Sequence, residues 1–171
     1  MAAPVLAWLI LRARFREALA LVLLAGLTDW LDGFTARLLK VTGNLGVILD
    51  PLADKVLLVT LFFALTALSL IPVWLLILVV ARDLVILGGA LLLRIVRNIR
   101  QFSPSTLGKV STFFQIVFVL LVLLHTSFPY QLLLWLQITA LALTSFFTAL
   151  SGLDYVRQGI QMASGRQLPF R

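Results

Sequence analysis

The 171-residue chain has no cysteine, a single histidine and seven acidic residues, and only 12% of its residues are charged. Without cysteine there is no disulfide framework and no thiolate metal site. The lone histidine, His125, closes an apolar run beside Thr126 and Ser127 and reads as an interfacial side chain without chemistry. Also missing is a charged stretch leading into a short apolar core and a cleavage site, so no signal peptide is expected. The connecting segments are too short to hide a soluble domain. No repeat interrupts a sequence whose main bias is toward leucine and valine. What remains is apolar: 61% of the residues are hydrophobic and the mean hydropathy is +1.08, which places the chain in the membrane class as one domain, residues 1–171.

A helix needs about 20 mainly apolar residues to cross a hydrocarbon core. Five segments qualify, at about 17–39, 44–69, 71–94, 107–126 and 130–153, separated by Thr42-Gly43-Asn44, Leu70-Ile71-Pro72, Ser103-Pro104-Ser105 and Ser127-Phe128-Pro129. A sixth, Met1 to Leu11, reaches only about half the core at 1.5 Å per residue. The expected architecture is an all-α integral membrane protein, a six-transmembrane-helix bundle whose first helix is truncated or incomplete.

Six crossings put Arg37, Lys40, Arg94, Arg97, Arg100, Lys109, Arg157, Arg166 and Arg171 on one side of the membrane. Arg12, Arg14 and Arg16 fall on the other, and Lys55 and Arg82 lie within spans. The richer side is the cytoplasmic one by the bias of lysine and arginine. The formal charge of +7 then reads as anchoring to anionic lipid, and its scatter between spans argues against nucleic acid as a partner.

Five of the seven acids, Asp29, Asp32, Asp50, Asp54 and Asp83, fall inside apolar spans. An ionisable group at that depth costs a few kcal/mol or more and marks a functional site by default. At about 100° per residue, Asp32, Ala36, Asp29, Gly33 and Arg37 share an arc of about 140° on one helix. Gly46, Asp50 and Asp54 share about 80° on the next. A short link makes the two helices antiparallel neighbours whose polar faces converge near the cytoplasmic boundary. Four converging carboxylates need cations between them, and hard divalent ions with oxygen ligands fit, since magnesium is held by a few carboxylates together with substrate phosphates. Two such ions suit phosphoryl transfer at the membrane surface. Gly33, Ala36 and Gly46 leave a slot for an extended ligand, although small residues also serve close helix packing.

Read in full, the string is D-x2-D-G-x2-A-R-x8-G-x3-D-x3-D from Asp29 to Asp54. It resembles the signature of the CDP-alcohol phosphatidyltransferase family, with all eight fixed letters present over 26 positions. The resemblance implies a six-helix membrane enzyme, a homodimer, that transfers a phosphatidyl or similar group from a CDP-linked donor to an alcohol and releases CMP. It implies a pair of Mg2+ or Mn2+ ions on Asp29, Asp32, Asp50 and Asp54, with Asp54 also the general base. Asp29, Gly33, Ala36, Arg37 and Gly46 would form the CDP site. Pro4 matches the proline that closes the family's T-x-x-R-x-x-x-x-P pattern, whose earlier letters have no counterpart here.

ARDLVILGGALLLR (Ala81–Arg94) and SPSTLGKVSTFFQ (Ser103–Gln115) look most like the cardiolipin synthase branch, which uses CDP-diacylglycerol and phosphatidylglycerol. Phosphatidylglycerophosphate synthases, with glycerol 3-phosphate as acceptor, resemble them too, and many carry glutamate where this chain has Asp83. Arg82 and Lys109 are the candidate cations for the acceptor phosphate; an ion pair with a signature aspartate is the other reading of Arg82. Neighbouring helical positions do not face each other, so Arg82 and Asp83 are expected to have separate partners. Lys55 reads as a structural counter-charge, Arg94, Arg97 and Arg100 as anchors, and Asp154 with Arg157 as an exposed helical pair. The intramembrane acids alone would also suit a small cation carrier or channel, but the paired broken helices or repeat symmetry of such proteins are not seen.

Overall fold

A computed structural model describes residues 3–39, 46–97 and 106–163, and every regular element among them is an α-helix. The helices are α1 (Ala3–Leu11), α2 (Phe15–Leu39), α3 (Gly46–Ala67), α4 (Val73–Arg97), α5 (Thr106–Ser127) and α6 (Gln131–Ala163). The turns at Thr42-Gly43-Asn44 and Ser103-Pro104-Ser105 lie outside the described residues.

Two helices end through the same device. The Ala13 N–H donates to Ile10 O at 2.8 Å and the Arg14 N–H to Leu9 O at 2.9 Å. After α3, Ser69 N–H donates to Thr66 O at 2.8 Å and Leu70 N–H to Leu65 O at 3.0 Å. Paired bonds of this kind satisfy the last carbonyls of a helix when the residue after the cap adopts a left-handed conformation. Ala13 and Ser69 do so, with φ of 57° and 58°. Pro72 then keeps α3 and α4 from joining into one rod.

The chain divides into two units, Met1–Val73 with Val119–Gln137, and Trp74–Phe118 with Ile138–Arg171. In the first, α1 packs on α2 and α3. Its buried Leu6, Leu9 and Ile10 follow the i, i+3, i+4 pattern, as do Leu58, Leu61, Phe62 and Leu65 on α3. The second unit is polar inside. Ser111 Oγ lies 3.1 Å from Thr148 Oγ1, Gln115 Nε2 donates to Thr148 Oγ1 at 3.1 Å, and Thr144 Oγ1 donates to Phe114 O at 3.0 Å. Beside this ladder Phe114 stacks on Phe147 with ring centres 4.8 Å apart.

Outward faces are apolar: Phe63 on α3, Leu84 on α4 and Leu132 on α6 are 66%, 64% and 68% exposed. Surfaces like these mark contact with lipid or partners. Among the described residues two stretches, Thr106–Ser127 and Gln131–Gln161, are long and apolar enough to cross a membrane. Helix α6 runs ten residues past the end expected at 153, to Ala163. Its polar tail stays helical, with Gln158 Nε2 donating to Asp154 Oδ2 at 2.8 Å one turn back.

Glycine adopts a left-handed φ without the steric cost borne by other residues. Ala13→Gly and Ser69→Gly should therefore each stabilise the protein by about 0.5–1 kcal/mol. Thermal unfolding in mild detergent measures this, and a lower midpoint for both variants would refute the left-handed caps.

Candidate active site

The acidic motif is carried by two consecutive helices. Asp29, Asp32, Gly33, Ala36 and Arg37 lie in the C-terminal half of α2, and Gly46, Asp50 and Asp54 in the first turns of α3. Because both segments are helical, the spacings of three and four keep each set on one face. Thr28, just before the first set, and Thr35, within it, turn their hydroxyls back onto their own helix, Thr28 to Leu24 O and Ala25 O and Thr35 to Leu31 O. Asp54 is exposed. The side chains of the other seven motif positions lie outside the described ones, and with them the convergence of the four carboxylates. Pro51 falls inside α3 directly after Asp50. Lacking an N–H, it cannot donate to the carbonyl of Val47, so α3 misses the helical hydrogen bond that would span Asp50.

A second polar centre lies in the other unit. Arg82, on α4, is 6% exposed and Asp83 is 8% exposed. The expectation that these neighbours need separate partners fails: Arg82 Nη1 donates to Asp83 Oδ1 at 2.7 Å. Divergent Cβ directions underlie that expectation, but an arginine stem is long enough to fold back and bring the guanidinium to the adjacent carboxylate. Arg82 Nε and Nη2 also donate to Ser151 Oγ at 3.2 and 3.1 Å, and Nη2 to Gly108 O at 3.1 Å. Four of the five guanidinium N–H groups are thereby engaged.

Gly108 permits this approach. A Cβ there would stand 3.0 Å from Tyr155 Oη and 3.1 Å from Arg82 Nη2. The guanidinium lies 5.9 Å from the centre of the Tyr155 ring. Arg82 thus reaches the first turn of α5, which carries the exposed Lys109, so the two candidate acceptor cations belong to one neighbourhood. The expected Asp154 and Arg157 pair is replaced by the bond from Gln158.

Ser151, Tyr155 and Gly108 were not foreseen from sequence. A signal for them exists: Thr144, Thr148, Ser151 and Tyr155 recur at intervals of four, three and four along an apolar helix, and all are buried.

The sequence pattern describing CDP-alcohol phosphatidyltransferases matches residues 1–149. The chain belongs to the CDP-alcohol phosphatidyltransferase family. Its similarity to the CDP-diacylglycerol–glycerol-3-phosphate 3-phosphatidyltransferase of Bacillus subtilis (strain 168) is 36% identity over 142 residues, 79% of this chain and 69% of the relative. It is also 36% identical to the cardiolipin synthase (CMP-forming) of Rattus norvegicus over 183 residues, covering 96% of this chain and 60% of the relative. The Homo sapiens cardiolipin synthase (CMP-forming) is 36% identical over 173 residues, 92% of this chain and 57% of its own. This phosphatidyltransferase-family chain therefore spans less than two thirds of the two mammalian relatives.

Removing one member of a buried ion pair costs about 3–5 kcal/mol, because the other charge is left uncompensated. Arg82→Met should destabilise the protein by about that much, and adding Asp83→Asn should restore part of it. Equal stabilities of Arg82→Met with and without the second change, in a double-mutant cycle of thermal unfolding, would refute the pairing.

Proposed function

We propose that the chain is an integral membrane enzyme that transfers a phosphatidyl group from CDP-diacylglycerol to the hydroxyl of phosphatidylglycerol, forming cardiolipin and CMP. The observation that carries the proposal is the complete eight-letter motif, set on the consecutive helices α2 and α3 of a chain that belongs to this family. Support for phosphatidylglycerol as acceptor comes from the two mammalian synthases, whose similarity runs over 96% and 92% of the chain. A second reading, glycerol 3-phosphate as acceptor, rests on the Bacillus relative at the same 36% identity. Six crossings, a homodimer and an active site at the cytoplasmic face complete the proposal, supported by the charge bias and the apolar outward faces.

The donor set fits a hard divalent cation. Asp29 and Asp32 on α2, and Asp50 and Asp54 on α3, offer oxygen ligands at helical spacing, and Asp54 is exposed to its surroundings. When bound there, two Mg2+ or Mn2+ ions supply charge neutralisation at the phosphate oxygens. Arg37, with Gly33, Ala36 and Gly46, holds the CDP moiety in this reading. Asp54 takes the proton of the acceptor hydroxyl as its oxygen bonds to the phosphorus that carries diacylglycerol. The bond from that phosphorus to the CMP oxygen breaks, and its electron pair leaves with CMP. Lys109 supplies positive charge for an anionic acceptor, while Arg82, paired with Asp83, holds the start of α5 that carries Lys109.

Reconstituted protein supplied with CDP-diacylglycerol and Mg2+ should release CMP and form cardiolipin when phosphatidylglycerol is present. CMP release only with glycerol 3-phosphate would move the assignment to the second reading, and none with either would remove both. Asp54→Asn should lower turnover by about 100- to 10,000-fold with unchanged thermal unfolding; full activity in that variant would end its role as base.

A further inference from the structure

At the end of α2 away from the aspartates the first unit has an open cavity of about 370 Å³, lined by residues 13–17 and by Thr126 and Ser127 at the end of α5. Asp29 lies 14 residues along α2 from Phe15, about 21 Å at 1.5 Å per residue, so the cavity is separate from the motif.

Three observations give it a chemistry. The first is an uncapped helix start. Arg14 O accepts the first helical bond, from Ala18 N–H at 3.0 Å, which puts Arg14 at the capping position. A guanidinium accepts no hydrogen bond, and among the described residues no acceptor serves the N–H groups of Phe15, Arg16 and Glu17. Those groups carry the positive end of the helix dipole.

The second is Ser127, which lines the cavity, is 6% exposed and has a buried hydroxyl with no hydrogen-bond partner. Buried polar atoms are rarely left so. Its neighbour Thr126, by contrast, donates to Val122 O at 2.6 Å.

The third is charge. Glu17 brings one carboxylate, and its Oε1 is 2.6 Å from Arg14 Nη2. Arg16 adds a second cation, with its guanidinium 5.2 Å from the centre of the Phe128 ring. Two arginines and a helix start against one carboxylate leave a positive site, which suits a phosphate-type anion.

The surroundings indicate where that phosphate comes from. Arg12 and Arg14 lie 5.9 and 6.0 Å from the centre of the Trp8 ring, and Trp8, Phe128 and Tyr130 are exposed. Aromatic side chains mixed with arginine are typical of the level where lipid head groups meet water. We infer that this cavity binds the phosphodiester head group of an anionic phospholipid, at a site apart from the transfer chemistry.

The test places the full chain in phosphatidylcholine nanodiscs containing increasing phosphatidylserine and follows thermal unfolding. Phosphatidylserine should raise the midpoint, and Arg16→Gln should raise the half-saturating fraction about tenfold, as the loss of one charge-assisted contact implies. Ser127→Ala should raise it about threefold while leaving the midpoint in pure phosphatidylcholine unchanged or higher, since it deletes an unpartnered hydroxyl. Half-saturation at the wild-type fraction in both variants overturns the site, and Ser127→Ala decides alone if Arg16→Gln does not fold. Equal protection by millimolar inorganic phosphate, lost in the same variants, keeps the anion site and overturns the lipid as its source.

Discussion

An ion inside an apolar helix is stable only when other groups complete its hydrogen bonds, and the unit containing α4 is organised by that demand. Arg82 and Asp83 form the pair; Ser151 and the carbonyl of Gly108 take up further guanidinium donors. The ladder of Ser111, Gln115 and Thr148 continues the pattern, and Thr144 adds a bond to the carbonyl of Phe114. Where the surrounding medium is as apolar as leucine, burial of leucine gives little force between helices, and packing with interhelical hydrogen bonds must supply it. The bare Cα of Gly108 is a steric condition of this centre, because a methyl group would crowd both Tyr155 and Arg82.

The motif on α2 and α3 has a different balance of charge. Asp83 has an arginine as its neighbour, whereas the eight-letter string sets four aspartates against a single arginine, Arg37, among its fixed letters. Such an excess of carboxylate suits cations supplied from solution together with a phosphate-bearing substrate. The same contrast separates a centre that holds helices together from one proposed to bind and turn over a ligand.

Much of the helical plan was legible because proline, glycine and polar clusters interrupt apolar runs. Segments expected at 44–69 and 107–126 appear as Gly46–Ala67 and Thr106–Ser127. The end of α6 is not signalled by hydropathy, which falls after Leu153 while helix-compatible residues and a Gln158 to Asp154 bond carry the backbone on. Ala13 gave no warning of its left-handed conformation, which sequence signals only when glycine occupies the place. Spacing located the acidic motif, because a fixed helical period turns residue numbers into faces. The Arg82 centre escaped because it depends on the reach of a long side chain and on contacts from residues 26 and 69 positions away.

Pro51 bears on how α3 bends. Below it in sequence lie Gly46 and Asp50; above it are Asp54 and the turn beginning at Leu58 that anchors the helix in the core. A helix already short of one rung bends there at low cost. A bend at that place changes the angle between the stretch carrying Gly46 and Asp50 and the stretch carrying Asp54, which continues into the core.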